Sequence, residues 1–199
     1  MSYGEIAQIE RVEKTIAALK ENGIDAMVVK TGTDAKAKAL ELIPEGAEVM
    51  TMTSATLETI GLSQELNESG KYDSVRVKMG ATEDPAQRRK LGAGPDYTVG
   101  SVHAVTEDGK VFVASGSGSQ LPAYAYGAGH VIWIVGTQKI TTNMDEALKR
   151  IYEYVLPLES ARAMKAYGSP SAVNKMLIFN REMQPNRITL IFVEEAVGF

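Results

Sequence analysis

Residues 99–135, VGSVHAVTEDGKVFVASGSGSQLPAYAYGAGHVIWIV, decide the fold of this chain and the place of its candidate site. Two short runs rich in β-branched residues surround an Asp-Gly turn signal, which predicts a β-hairpin. A Gly/Ser loop at 115–119 and a helix of small residues at 120–127 follow. The continuous apolar run at 130–135 is typical of a central strand that is covered on both faces.

The first half of the chain alternates between helical and strand patterns. Helical spacing of apolar residues is followed by short buried runs, in the order helix 5–21, strand 25–30, helix 35–42 and strand 48–52. Residues 74–78 add the pattern of a weak strand. This alternation favours an α/β fold with a parallel sheet and helical crossovers.

The length of 199 residues suits one large domain or two small ones. A Gly/Pro-rich break at 92–95 separates the alternating first half from the central stretch. The break is too short for a linker between independent units. We therefore predict a single domain over 1–199, with a subdomain seam near 92–95.

Composition excludes several function classes. The net charge of -4 does not indicate attraction to nucleic acid or to an anionic membrane, and no apolar run is long enough for a membrane span. The absence of cysteine removes thiol catalysis and cysteine-bound metal, and the two histidines are too few to predict a metal site. A polar start, MSYGEIAQIERVEKT, is not a secretory signal. We expect a cytoplasmic protein.

The Gly/Ser loop is the first candidate ligand site. Its glycines allow close backbone approach and its serines add hydroxyl donors, between a strand and a helix start. The spacing fits neither the dinucleotide fingerprint nor the P-loop, and a plain surface loop stays an alternative. The candidate binding residues are Ser115, Gly116, Ser117, Gly118, Ser119 and Gln120.

A second hydroxyl-rich bend follows the predicted strand at 48–52. Thr53, Ser54 and Thr56 stand at the start of the next helix, where free N–H groups and the helix dipole favour an anion. A plain helix cap at Ser54 is the alternative. If both bends lie at one end of a shared sheet, they form a cradle for negative charge.

Two residues of the hairpin are candidates for acid–base or nucleophilic chemistry. Glu107 lies at the turn and is a candidate nucleophile, although turn carboxylates usually face water. His103 lies in a strand among small residues and is a candidate general base, or else a half-buried structural histidine. The residues alone do not decide whether the protein is an enzyme, and they identify no cofactor.

The run GSVHAVTEDGKVFVASGSGSQLPAYAYGAGHVIWIVGTQKITTNMDEALKRIYEYVLPLESAR resembles the LUD domain, the lactate-utilisation family. TMTSATLETIGL upstream and RITLIFVEEAVGF near the end extend the resemblance over most of the chain. The family is similar in fold to the NagB/RpiA/CoA transferase-like superfamily. That similarity implies an open, mainly parallel sheet flanked by helices, with a small antiparallel insert.

The resemblance also implies where ligands bind. TMTSAT looks like the first anion-binding loop and GSVHAVTEDG like the second, with His103 where an asparagine is more common. SGSGSQ falls where many members carry Gly-Asn-Arg. Members linked to lactate oxidation work beside iron–sulfur proteins, which makes an iron–sulfur protein a candidate partner. A homo-oligomer of this chain is the other partner that stays open.

Three functions stay open at this level. The first is binding of a small anionic metabolite, accessory to lactate or organic-acid metabolism. The second is an isomerase- or coenzyme A transferase-like enzyme in which Glu107 attacks a thioester while Gly116 and Gly118 supply oxyanion contacts. The third is an assembly subunit without a site, which an exposed apolar patch at Met176–Phe179 would favour.

Overall fold

The computed structural model describes residues 3–199. Met1 and Ser2, which the single-domain prediction includes, lie outside the described residues. In chain order the strands are β1 (Asp25–Val29), β2 (Glu48–Thr51), β3 (Asp73–Ser74), β4 (Tyr97–Gly100), β5 (Ala104–Thr106), β6 (Val111–Ser115), β7 (His130–Gly136), β8 (Ile140–Thr141), β9 (Lys175–Phe179) and β10 (Ile188–Val193).

The helices fill the connections between these strands. They are α1 (Ile9–Glu21), α2 (Gly32–Glu41), α3 (Ala55–Thr59), α4 (Leu62–Glu68), α5 (Val75–Ala81), α6 (Pro85–Ala93), α7 (Met144–Lys149) and α8 (Leu156–Tyr167). Ala123–Gly127 and Arg150–Val155 are π-helical, and Thr137–Lys139 is a 3-10 turn.

Six strands form one open sheet in the order β1-β10-β7-β4-β2-β3, and all five pairings are parallel. The other four form a small mixed sheet, β8-β5-β6-β9, in which only β5 and β8 run parallel. The α/β prediction, with a mainly parallel sheet flanked by helices and a small insert, is confirmed. The predicted hairpin is the antiparallel pair β5–β6, with Ala104 opposite Phe112.

The central strand β7 is buried on both faces, as its continuous apolar run predicts. Residues 131–136 are all buried in the structure. Trp133 lies between two aromatic partners, with ring-centroid distances of 5.5 Å to Tyr124 and 5.0 Å to Phe179, both edge-on. Because Tyr124 comes from the π-helical segment and Phe179 from β9, these contacts join the insert to the main sheet.

Two sequence predictions are wrong at the level of elements. Ser74 ends the two-residue strand β3 and then caps α5, since its side chain accepts from the backbone N–H of Val77, so residues 75–78 are helical. Met176–Phe179 is not a free apolar patch: it belongs to β9, which pairs with β6 over five residues. Phe179 is buried, so the argument for an assembly subunit loses its motivating feature.

Arg187 stabilises the unusual π-helical segment at Ala123–Gly127. Its buried guanidinium donates to the carbonyl oxygens of Ala123, Tyr124 and Ala128, and it pairs with Glu182 at 2.6 Å. These carbonyls belong to the π-helical segment and to Ala128, which follows it, and the carbonyl oxygen of Ala123 also accepts from the N–H of Ala128 at 3.0 Å. A charge-assisted contact therefore fixes Tyr124 and the wall that it forms.

We predict that Gly127→Ala lowers the free energy of unfolding by about 1–3 kcal/mol, because an added methyl overpacks a rigid contact. A Cβ at this position would lie 1.8 Å from the carbonyl oxygen of Ala93, which is backbone and cannot rotate away. Urea unfolding measures the loss. Gly80→Ala, in α5 with nothing within 4 Å of the new Cβ, is the matched control and should be neutral or slightly stabilising. Equal stability of both variants would contradict the prediction.

Candidate functional site

A cavity of about 1060 Å³ lies at the carboxyl ends of β2, β4 and β7. These three strands are neighbours in the sheet, and the segments that follow them contribute Thr53–Thr56, Ser101–His103 and Lys139. The insert contributes Ser115–Gln120, and the helices around Arg150–Tyr167 close the far wall. Carboxyl ends of parallel strands are the usual ligand-binding edge of an open α/β sheet.

The structure brings most of the sequence-predicted site residues to this cavity. Those that line it are Thr53, Ser54, Thr56, His103, Ser115, Gly116, Ser117, Gly118, Ser119 and Gln120. The two predicted hydroxyl-rich bends therefore share one cavity. Ser54 also caps α3, its side chain accepting from the N–H of Leu57, so the cap and the cavity position coincide.

Glu107 does not line the cavity. Its carboxylate pairs with Arg11 at 2.6 Å and with Lys14 at 2.8 Å, both on α1. Burial alone would raise the pKa of Glu107, but the hydrogen bonds from Lys14 and Arg11 hold it below its ordinary value. The structure thus places Glu107 as an ion-pair partner of α1, away from the other candidates.

Three side chains meet at the bottom of the cavity, one from each strand end. Lys139 Nζ lies 3.0 Å from Thr56 Oγ1, 3.0 Å from Ser101 Oγ and 3.2 Å from the carbonyl oxygen of Val102. Thr56 Oγ1 donates in turn to the carbonyl oxygen of Val197 at 3.2 Å. We call Thr56, Ser101 and Lys139 the strand-end cluster.

Lys139 is a buried amine without a carboxylate partner among residues 3–199. Only 3% of its surface is exposed. Burial, reinforced by the positive charge of Arg150, lowers the pKa of Lys139 to about 7. Near neutral pH this amine therefore exists in both protonation states, unlike an exposed lysine.

His103 is held as a neutral ring. Burial and the charges of Lys139 and Arg150 lower the pKa of His103 to about 3. Its Nδ1 accepts a hydrogen bond from the N–H of Ala114 at 3.1 Å, so the proton of the neutral ring belongs on Nε2. In this tautomer His103 offers a hydrogen-bond donor rather than the general base that the sequence suggested.

Hydrogen bonds tie the Gly/Ser loop to the scaffold. The Ser115 hydroxyl accepts from the N–H of Gly118 at 2.8 Å and donates to the Gln120 side-chain oxygen at 2.9 Å. Lys175 donates to the carbonyl oxygen of Ser117 at 2.7 Å. Gly118 has φ +85°, and a Cβ there would lie 2.6 Å from the Lys175 side chain, so glycine is required.

The charge around the cavity is strongly one-sided. Glu159 is the one acidic side chain in the lining, and Arg162 pairs with it at 2.7 Å. The basic side chains of the lining are Arg76, Arg88, Arg89, Lys139 and Arg162. The cavity is therefore positive although the chain as a whole carries a net charge of -4.

Sequence reasoning missed Ser101, Lys139 and the cavity arginines. A signal was available for the first two: Ser101 directly follows β4, and Lys139 ends the three-residue turn after β7, at the sheet edge where ligands bind. Nothing local marks the arginines, since the basic run at 88–90 is also typical of a solvated helix face.

Two π-helical segments border the cavity as well, through Tyr124 and Ile151, and such segments recur at functional sites.

The described part of the chain contains no group of three or more His, Cys, Asp or Glu side chains that could hold a metal ion. Between residues 3 and 199 no helix combines the length and the apolarity that a bilayer crossing needs.

Comparison with known proteins gives a family and a fold. The LUD domain family matches residues 12–193. No curated protein sequence matched the chain significantly. A crystal structure of a DUF162 family protein from Deinococcus radiodurans is similar with a TM-score of 0.57 and 12% identity, and the match covers 94% of this chain and 99% of that one. At this identity the likeness shows the fold alone.

Two more distant structures also match. The eIF2B beta subunit from Chaetomium thermophilum has a TM-score of 0.41 and 14% identity, over 57% of this chain and 44% of that one. Ribose 5-phosphate isomerase from Plasmodium falciparum has a TM-score of 0.36 and 15% identity, over 78% of this chain and 79% of that one.

We predict that Lys139 makes stability depend on pH above neutrality. Its pKa is about 7 in the folded protein and near 10.5 in the unfolded chain, so between these values the unfolded state binds more protons. Stability should therefore rise with pH over that window, by at most about 1.4 kcal/mol per pH unit for one proton. Urea unfolding of the wild type and of Lys139→Met at several pH values measures the contribution of Lys139 to the pH dependence of stability. Parallel pH profiles for the two proteins would contradict it.

Proposed function

The chain belongs to the LUD domain family, and we propose that its strand-end cavity binds a small anionic metabolite in a role accessory to lactate or other organic-acid metabolism. One observation carries this proposal: five basic side chains line the cavity against one acidic side chain, Glu159, which is itself paired. An anion would neutralise this excess, and the link to organic acids follows from the family's name.

The cavity also offers neutral donors for an anion. Thr53, Ser117, Ser119 and His103, which carry hydroxyl groups or an imidazole N–H, lie on its lining together with the basic residues. Preorganised donors of this kind recognise carboxylate or phosphate oxygens without a large reorganisation cost. Their presence supports an oxygen-rich anion rather than a halide or an apolar acid.

Cavity size bears on the ligand class. A volume of about 1060 Å³ equals the upper end of pockets that enclose drug-sized ligands, roughly 300–1,000 Å³. A three-carbon hydroxy acid such as lactate would leave most of this space to water. The size therefore favours a larger organic anion, with a three-carbon acid as the lower limit to be tested.

The Glu107 transferase alternative gains no support from this geometry. Glu107 is paired with Arg11 and Lys14 and lies outside the cavity that Gly116 and Gly118 line. A nucleophile must reach the atom that the oxyanion donors contact. We therefore leave Glu107 out of the proposed site.

We predict that anions raise the melting temperature and that the cavity arginines carry the effect. Thermal-shift measurements at constant ionic strength, set with chloride, would identify the chemical class of anion that binds. The anions to compare are L-lactate, pyruvate, citrate, inorganic phosphate and ribose 5-phosphate. Arg88→Gln/Arg89→Gln should weaken binding of an active anion roughly tenfold, about 1.4 kcal/mol.

Arg181→Gln is the matched control for this experiment. Arg181 is exposed, donates to the carbonyl oxygen of Glu21 and does not line the cavity, so its loss should leave anion binding unchanged. If none of the five anions stabilises the wild-type protein, or if the control variant loses binding as strongly, the proposed function is wrong.

A further inference from the structure

We propose that Ser101 and Lys139 form a serine–lysine dyad that transfers the acyl group of an anionic ester or thioester through an acyl-Ser101 intermediate. This inference goes beyond the proposed binding function and rests on it only for the negative charge of the substrate. It assigns an activity to the strand-end cluster, which no sequence motif marked.

The geometry that carries the inference is the contact between nucleophile and base. Ser101 Oγ lies 3.0 Å from Lys139 Nζ, within hydrogen-bond reach. Ser101 is half-buried and lines the cavity, so a substrate can reach its oxygen, whereas Lys139 is almost completely buried behind it. A cavity-lining hydroxyl within hydrogen-bond reach of a buried amine is the pairing of nucleophile and base by which serine nucleophiles are activated.

The hydrogen-bond pattern around Nζ fits a neutral amine, which has two N–H donors and one lone pair. The carbonyl oxygen of Val102 can only accept, and Thr56 Oγ1 can accept while its own proton goes to the carbonyl oxygen of Val197. Ser101 is then the partner whose hydroxyl can donate to the lone pair. Thr56 Oγ1 also lies 3.3 Å from Ser101 Oγ, so each of the three side chains contacts the other two.

The environment of Lys139 keeps the neutral form accessible. Among residues 3–199, Arg150 and His103 interact with Lys139 electrostatically, and neither is negatively charged. Burial and Arg150 set its pKa at about 7, a value suited to a general base at neutral pH. His103, held as the Nε2–H tautomer on the same lining, is a candidate donor to the developing oxyanion.

The proposed reaction has two balanced steps. In the first, the Ser101 hydroxyl passes its proton to Lys139 Nζ while Oγ attacks the acyl carbon. The bond to the leaving alcohol or thiol breaks, and the leaving group takes the proton from Lys139. In the second step water attacks acyl-Ser101 and gives one proton to Lys139, the ester bond to Oγ breaks, and Lys139 returns that proton to Oγ as the acid leaves.

A fluorophosphonate probe tests the nucleophile directly. We expect covalent labelling of the wild-type protein at Ser101, found by intact mass and peptide mapping, with a rate that rises with pH through about 7. Ser101→Ala should abolish the label, and Lys139→Met should slow it roughly 10²–10⁴-fold, the usual contribution of a general base. Ser160→Ala, a serine outside the cavity lining, and Lys38→Met, a half-exposed lysine that pairs with Glu41 outside the lining, should label like the wild type.

A cysteine version of the same test does not depend on the substrate. Because the chain contains no cysteine, Ser101→Cys creates a single thiol. Its alkylation by iodoacetamide should show a thiol pKa below that of the thiol in Ser160→Cys, and adding Lys139→Met should remove the difference. Folding of each variant is checked by its thermal transition.

Absence of label at Ser101 in folded wild-type protein between pH 6 and 9 would overturn the dyad, as would equal labelling rates for wild type and Lys139→Met. So would identical alkylation profiles for the two single-cysteine proteins. Anion-induced stabilisation, measured on Ser101→Ala as well, is read separately. If the labelling tests contradict the dyad while anions still stabilise the protein, the proposed binding function stands. If Ser101 is labelled as expected but no anion stabilises the protein, only the binding function is contradicted.

Discussion

The structure depends on the parallel pairing of β2, β4 and β7. Parallel neighbours end at the same edge of a sheet, so the residues just after each strand are forced together whatever their distance in sequence. In sequence, Thr56 and Ser101 are 45 residues apart, Ser101 and Lys139 are 38 apart, and Thr56 and Lys139 are 83 apart, yet their polar atoms lie within 3.3 Å. The strand-end cluster is thus a consequence of topology and not of a local motif.

That position carries an energetic cost, because a buried amine loses its hydration. Arg187 shows how the same fold stabilises a buried cation when function does not intervene: a carboxylate and three carbonyl oxygens surround it. Lys139 has oxygen partners but no carboxylate among the described residues, and the cationic Arg150 lies near it. An arrangement less favourable than the fold allows elsewhere is typical of a functional site.

The sequence predicts the fold well because the helices and strands have periodic patterns of apolar residues. Alternating helices and strands, the hairpin and the apolar strand β7 all have local signatures, and the two hydroxyl-rich bends follow from strand-to-helix junctions. Ser74 and β9 were misread because capping and pairing with a distant strand override weak local propensity. The sequence did not predict Lys139 as a site residue. A lysine in a short turn has the same sequence pattern whether its amine is exposed to solvent or contacts residues at the ends of two other strands.

The same reasoning separates the carboxylate candidate Glu107 from the amine of Lys139. Glu107 lies at a turn, as its sequence pattern indicates, and its carboxylate forms ion pairs with two cationic side chains of α1. Glu159 is likewise neutralised by Arg162, so the carboxylates near the insert and the cavity are already matched. The unmatched charge in the cavity is positive, on Arg76, Arg88 and Arg89. On our proposal, chemistry at this site begins from amine, hydroxyl and imidazole groups that act on a negatively charged molecule.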